Sequence, residues 1–397
     1  MKVIGLMSGT SADAVDAALV EWPEGEAARP FALLAFAETP LPEPLQERVH
    51  GLAAGRVAGE RALAELAALD VLLGERFAEA ARDVAARAGV ALGDVAAVAS
   101  HGQTVAHHPE QRATLQIGNA ARIAERCGRP VISDFRSRDL AAGGEGAPLA
   151  PFFHHAALAD AGEGRLVLNL GGIANVTWLP RGARAAEVLA FDVGPANALL
   201  DGVLRALRPG ERFDEGGARA LRGQPDAALL AALLDDDFLR RPPPKSTGRE
   251  RYGMREAEAL AQRWRQRPLD DLLATLAAFS AEAVARACRD FLPAQPDTAD
   301  SADAANTADT AAGRQSPVER VWVCGGGARN AASMAQLSAR LAAPVRPLDE
   351  SGVPAAAAEA MAFSLMGRNA LLGLPNHLPH TTGAQAPPRI LGQITPA

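Results

Sequence analysis

The chain has 397 residues, more than one ordinary hydrophobic core serves, so two domains are expected. Hydrophobic residues make up 48% and charged residues 22%, the balance of a soluble globular protein, and the net charge of -7 argues against a nucleic-acid partner. The three cysteines, Cys127, Cys288 and Cys324, lie far apart without CxxC spacing, which points to a reducing compartment and no zinc site.

At the amino terminus Val3, Ile4 and Leu6 form an apolar run that predicts a buried strand. No signal peptide precedes it and no apolar run approaches the ~20 residues of a membrane span, so a cytoplasmic protein is expected. Val15, Ala17 and Leu19 then alternate with Asp16 and Ala18, which predicts a strand running back. The tip between these strands spans Gly9, Thr10, Ser11, Ala12, Asp13, Ala14, Val15 and Asp16. Small and hydroxyl residues there offer backbone N–H groups and hydroxyls for phosphate oxygens. An ordinary surface hairpin is the alternative. Asp13 and Asp16 are close enough to reach magnesium carried by such phosphates, with Asp13 the expected ligand.

Phe31 to Thr39 reads as a strand, closed by the prolines that follow. Ala58 to Ala88 is helical in period. Val95 to Ser100 predicts a short buried strand with His101, Gly102, Gln103 and Thr104 at its end. Another short strand, Thr114 to Ile117, carries Gln116 and leads to Asn119 at the start of a helix that reaches Cys127. Val131 to Ser133 is a strand leading into Asp134, Arg136 and Asp139. Amide, guanidinium and imidazole groups at strand ends suit a polyhydroxylated, carboxylated ligand; local turn hydrogen bonding explains His101 or Asp139 equally well. His107 and His108 read as a solvated turn, with no third metal ligand evident.

From Leu166 the pattern restarts as strand, Gly171-Gly172 turn and strand, ending at Trp178. Leu189 to Val193 predicts a strand ending at Asp192, and Ala196 to Leu207 a helix. A carboxylate at a strand end faces a cleft in α/β proteins, although an Asp there also caps a following helix. The cluster from Pro243 to Arg249 reads either as a phosphate grip or as a segment that orders the domain surface; it lacks Walker spacing and a preceding strand. Arg255 to Phe291 is helical, interrupted at Pro268. The segment 293–317 has no aromatic or large aliphatic residue and is expected to be disordered. Val318 to Cys324 resumes as a strand. Gly325, Gly326 and Gly327, with Asn330 beyond them, would let a nucleotide lie against the backbone, or simply make a flexible turn. A final helix, Ala355 to Leu372, carries Glu359.

The segment MSGTSADAVDAALV resembles the amino-terminal signature of the anhydro-N-acetylmuramic acid kinases, members of the sugar kinase, actin and heat-shock chaperone superfamily. That family usually has Leu at position 12, Gly at 14 and Thr at 193, where this chain has Ala12, Ala14 and Val193. Other matching motifs are His101-Gly-Gln-Thr104, Gln116-Ile-Gly-Asn119, Asp134 to Asp139, Asp192 to Pro195, Pro243 to Arg249 and Gly325 to Asn330.

The resemblance implies an α/β, two-domain actin-like fold, each domain a mixed sheet flanked by helices. Residues 1–160 with 355–397 would form the sugar-binding and first phosphate-binding domain, and 161–354 the nucleotide-binding domain. It implies ATP and magnesium, a cell-wall sugar substrate, and Asp192 as general base. Nucleotide contacts would come from residues 9–16, Gly171, Gly172, Gly325 to Gly327 and Asn330. Sugar contacts would come from His101, Gln103, Thr104, Gln116, Asn119, Asp134, Arg136, Asp139 and Glu359. The alternatives are a simple hexose or amino-sugar kinase of the same fold, and a non-catalytic ATP-dependent sensor or chaperone. The oligomeric state stays open, a homodimer being one option.

Overall fold

The computed structural model describes residues 1–248, 250–293 and 317–397. Apart from Pro293 and Pro317, the stretch expected to be disordered lies outside these residues. The chain divides into two units, Met1–Ala157 with Ala356–Ala397, and Leu158–Ala355.

The first unit is built on a sheet of β1 (Lys2–Ser8), β2 (Ala14–Glu21), β3 (Ala32–Pro40), β4 (Ala97–His108), β5 (Ala113–Ile117), β6 (Val131–Ser133) and a last short strand, Gln393–Thr395. The order runs from Gln393–Thr395 through β6, β4, β1 and β2 to β3, with β5 paired to β4. β1, β2 and β3 are antiparallel, while β1, β4 and β6 run parallel. β1 sits between β2 and β4, and Val3, Ile4 and Leu6 are wholly buried. A strand covered on both faces needs such an unbroken apolar run.

Helix Glu60–Arg87 covers one face with Leu69, Leu73, Phe77 and Val84, which join Ile4 and Leu6 in one core. Their four- and seven-residue spacing keeps them on one side of the helix. Helix Ala358–Leu371 packs against β1, β2 and β4. Its approach is close: a β-carbon at Gly5 would overlap the Ala360 carbonyl, and one at Gly367 the Ala99 side chain.

β4 is longer than its apolar core suggests. His101, Gly102, Gln103 and Thr104 lie inside the strand and not at its end, and His107 and His108 close it instead of forming a turn. Gly102 has φ 77°, and a β-carbon there would crowd the Ile117 carbonyl of β5. Glycine therefore lets the pairing continue through a segment whose polarity reads as a strand end.

The second unit carries β7 (Arg165–Leu170), β8 (Ile173–Leu179), β9 (Leu189–Pro195), β10 (Arg320–Cys324) and β11 (Val345–Pro347). Their order is β11-β10-β7-β8-β9, antiparallel from β7 to β9 and parallel from β7 through β10 to β11. This repeats the first sheet's β6-β4-β1-β2-β3 order, with an antiparallel meander on one side and parallel strands on the other. Helix Leu269–Phe291 is buried around most of its circumference, which makes it a core helix and not a surface one. Leu272, Leu276 and Phe279 share a core with β7, β8, β9 and helix Asn197–Leu207. Asp192 lies within β9, three residues before its end, rather than terminating the strand. Among the described residues no helix is long and apolar enough to cross a membrane.

Candidate active site

In the first unit the turn from β1 to β2 is braced by its neighbours. Ala12 adopts a left-handed backbone, φ 50°, and its N–H donates to the Gly9 carbonyl at 3.1 Å. The Asp13 carboxylate accepts from the Ser11 hydroxyl at 2.6 Å and from the Ala14 N–H at 3.1 Å. Buried Gln103 of β4 reaches in, accepting from the Ser8 hydroxyl at 2.7 Å and donating to the Gly9 carbonyl at 3.1 Å. His50, from the unpredicted helix Glu43–Ala53, donates through Nε2 to the Ser11 carbonyl at 2.9 Å. Thr10, Ser11 and Asp13 are exposed, Gly9 and Ala14 half-buried, and Val15 is buried in the core beneath. Such a turn presents hydroxyls and a carboxylate on a fixed backbone.

Asp16 stands directly opposite Glu38 across the β2–β3 pair. Burial, then the nearby Glu38, Glu359 and Asp13 carboxylates, push its carboxyl up to about 7. A site that crowds negative charge in this way favours either a proton or a cation.

The other predicted polar residues of this unit fall into two groups. His101 and Arg136 meet. The His101 Nδ1–H donates to the Gly102 carbonyl at 2.9 Å, which leaves Nε2 to accept from Arg136 Nε at 2.9 Å. Burial and the guanidinium hold His101 well below its usual range, so the imidazole is neutral. Arg136 also donates to the Gly146 carbonyl at 2.6 Å; burial lowers it to about 10, against the pull of Glu359 and Asp139. Glu359 lies in the first turn of helix Ala358–Leu371. Its carboxyl is raised by surrounding protein and lowered by Arg136, the first effect prevailing. On β5, Gln116 donates to the Thr104 hydroxyl at 3.2 Å and the Thr114 hydroxyl at 2.8 Å.

The second group is occupied by the fold itself. Asn119 caps helix Ala120–Cys127, accepting from Arg122 N–H at 3.0 Å and donating to Asp70 at 2.7 Å. Asp139 is fully buried, accepting from Gly146 N–H at 2.8 Å and the Thr382 hydroxyl at 2.7 Å. Asp134, with φ 56°, accepts from Ser137 N–H at 3.1 Å and from Gln393 at 2.9 Å.

In the second unit the Gly171-Gly172 turn is locked to the start of helix Asn197–Leu207. The Gly172 carbonyl accepts from Ala196 and Ala198 N–H at 3.0 and 3.1 Å, and the Gly171 carbonyl from Asn197 N–H at 3.0 Å. After β10, Gly325 takes φ 77°, and a β-carbon there would overlap Asn169 and the Leu170 backbone; one at Gly327 would overlap the Leu170 side chain. Only glycine lets this segment lie against the end of β7. Asn330 caps helix Ala331–Arg340, accepting from Ser333 N–H at 3.0 Å. Gly217, with φ 73°, also lies here, where a β-carbon would overlap the Asn330 amide. Sequence reasoning missed Gly217; its signal was the pair Gly216-Gly217 after Glu215.

Asp192 is oriented by a segment remote in sequence. One carboxylate oxygen accepts from the Ser246 hydroxyl at 3.1 Å and from the Thr247 N–H at 2.9 Å, while the Asp192 N–H donates to the Lys245 carbonyl at 3.1 Å. The cluster around Lys245 thus serves the carboxylate, a role its sequence context did not reveal.

A family model described as anhydro-N-acetylmuramic acid kinase matches residues 1–300 and 297–397. The chain belongs to the anhydro-N-acetylmuramic acid kinase family. Among similar proteins bearing that name, one from Gloeobacter violaceus is 43% identical over 99% of this chain and 98% of its own. One from Xanthomonas campestris pv. campestris is 44% identical over 99% and 97%, and one from Pseudomonas paraeruginosa 40% identical over 100% and 99%. In this member of the anhydro-N-acetylmuramic acid kinase family, the first unit carries the braced turn, and the second carries the glycine-lined segments and the oriented Asp192. Arg136, Gln116 and Glu359 bring a guanidinium, an amide and a carboxyl to the first unit, with buried His101 fixing the guanidinium.

Proposed function

We propose that the protein transfers the γ-phosphoryl group of ATP to the 6-oxygen of 1,6-anhydro-N-acetylmuramic acid while water opens the anhydro ring, giving N-acetylmuramic acid 6-phosphate for cell-wall recycling in the cytoplasm. The observation that carries this reading is Asp192, whose carboxylate accepts from the Ser246 hydroxyl and the Thr247 N–H. A base held in this way is oriented before substrate arrives. Family membership does not favour a simple hexose kinase or a non-catalytic sensor.

Cleaving a glycosidic bond usually takes two carboxylates, one to activate water and one to protonate the leaving oxygen. Here the bond from the anomeric carbon to the 6-oxygen breaks as that oxygen attacks the γ-phosphorus, and the bond from phosphorus to ADP breaks in turn, so the developing charge leaves with ADP. One base then suffices: Asp192 takes a proton from water, and the remaining hydroxide bonds the anomeric carbon. Water arrives opposite the leaving oxygen, so the anomeric configuration inverts.

We assign phosphate contact in the first unit to the turn from Gly9 to Asp16; in the second unit we assign phosphate contact to Gly171 and Gly172 and adenosine contact to Gly325, Gly326, Gly327 and Asn330. We assign sugar contact to Thr104, Gln116, Arg136 and Glu359, with Arg136 facing the lactyl carboxylate. His101, Gln103, Asn119, Asp134 and Asp139 hold these groups in place. Among the described residues no three His, Cys, Asp or Glu side chains group to hold a metal. Magnesium that travels with nucleotide phosphates needs only one or two carboxylates. Exposed Asp13 and the charge-crowded Asp16 fit that requirement, and the ion would neutralise phosphate charge.

The test is Asp192→Asn. The side chain stays nearly isosteric, so nucleotide affinity should be unchanged while turnover falls ~10²–10⁴-fold. Near-normal turnover would remove Asp192 from the mechanism.

A further inference from the structure

Lys245 is 6% exposed, an uncommon burial for an ammonium group. Its Nζ lies 4.6 Å from the Phe291 ring centre, 4.9 Å from Phe238 and 5.9 Å from Phe191. It donates to the Phe238 and Leu239 carbonyls, each at 3.2 Å, inside the short helix Asp237–Arg240. Carbonyls near the carboxyl end of a helix carry partial negative charge and suit a cation, and the Phe238 carbonyl accepts from the Arg241 N–H as well, at 3.2 Å. The three rings add cation–π attraction on the remaining sides.

The backbone of the same residue runs beside β9. The Lys245 carbonyl accepts from the Asp192 N–H, and the next two residues hold the Asp192 carboxylate. Ser246 is exposed and Thr247 only partly covered, so little packing of their own fixes them. Lys245 is the buried anchor of this three-residue segment. Phe191, the neighbour of Asp192 on β9, forms one wall of the pocket that receives it.

We propose that Lys245 is a positioning residue for the reaction: its buried ammonium pins the segment 245–247 so that Ser246 and Thr247 keep the Asp192 carboxylate aimed at the reacting water. Lys245 touches neither sugar nor phosphate in this assignment. It acts through Asp192, and the proposal rests on Asp192 being the base.

The experiment compares Lys245→Met and Lys245→Arg with the unaltered protein, using ATP and the anhydro-sugar. Methionine keeps the packed stem and removes the charge and donors. The expected result is kcat lower by ~10²-fold, the order that a misplacement of about 1 Å costs, with KM for ATP unchanged. Arginine keeps charge and donors and should restore most of the turnover. Lys245→Met is also placed in the Asp192→Asn background and read by single-turnover phosphorylation. A residue acting through Asp192 then costs nothing further, whereas a general structural defect lowers both backgrounds by the same factor. Equal loss in both backgrounds, or kcat unchanged in Lys245→Met, overturns the proposal. If Lys245→Met fails to fold, Lys245→Arg and Lys245→Gln carry the same comparison, glutamine retaining a donor without charge. A fully active Asp192→Asn variant is a separate result, and overturns the assignment of the base.

Discussion

At the scale of single residues, the sharpest anomaly is Asp16. Its carboxyl titrates near 7 because it is partly buried and faces Glu38, Glu359 and Asp13. An unfolded Asp titrates near 3.8, so the folded state binds this proton more tightly. The resulting stabilisation is complete below about pH 4 and is lost as pH rises through about 7. Asp16→Asn should therefore raise the thermal midpoint at pH 8, measured without nucleotide or metal, and give no gain at pH 4. A gain of equal size at both pH values would show that charge at Asp16 is not the cause. If magnesium and nucleotide neutralise this cluster, adding both to the unaltered protein at pH 8 should raise its midpoint more than it raises that of Asp16→Asn.

At the scale of elements, the first unit depends on how closely helix Ala358–Leu371 approaches β1 and β4. Gly5 and Gly367 are the contact points, and a β-carbon at either has no room. Backbone atoms of the helix, at Ala360 and Ser364, form the obstacle at Gly5, so side-chain rotation cannot relieve it. Gly5→Ala should cost on the order of 3 kcal/mol, the upper range for overpacking, and lower the midpoint by roughly 10 °C. Calorimetry on the variant checks this; a shift under roughly 2 °C would show that the helix yields. The same helix carries Glu359, so under the proposed sugar contact of Glu359 the variant should also weaken sugar binding more than ATP binding.

Legibility differed among elements for physical reasons. Apolar strands such as β1 and β7 and the long helix Glu60–Arg87 declare themselves, because their side chains are buried in a regular period. β4 does not, because its second half is polar and its pairing is satisfied by β5. Gln103 looked like a ligand group for the same reason. An amide that braces a turn and an amide that binds a sugar have one composition, and only the partner tells them apart.

At the scale of the whole molecule, the two units repeat one strand order, so one topology is used twice with different side chains. The chemistry proposed for them has a consequence for bulk behaviour. If the phosphoryl group receives the 6-oxygen as the ring opens, ATP is required for hydrolysis as well as for phosphorylation. Enzyme with anhydro-sugar and no nucleotide should release no free N-acetylmuramic acid. In oxygen-18 water with ATP, the label should enter the anomeric hydroxyl and not the phosphate. Open unphosphorylated sugar accumulating during turnover, or label in the transferred phosphate, would sink the concerted route.

The two mixed α/β sheets were implied by the family resemblance, whereas sequence alone was enough for the apolar strands, the long helices, the family motifs and the chain positions of the Gly9–Asp16 turn, Asp192 and the glycine run from Gly325. These are local properties: a period of apolar residues, or a short motif whose order is written along the chain. Only the tertiary structure decided what those groups touch. Lys245, Ser246 and Thr247 meet Asp192 across more than fifty residues of chain, Gly217 meets Asn330, and Asn119 is claimed by Asp70. Such pairings depend on which strands lie side by side, and a side chain's composition carries no record of its partner.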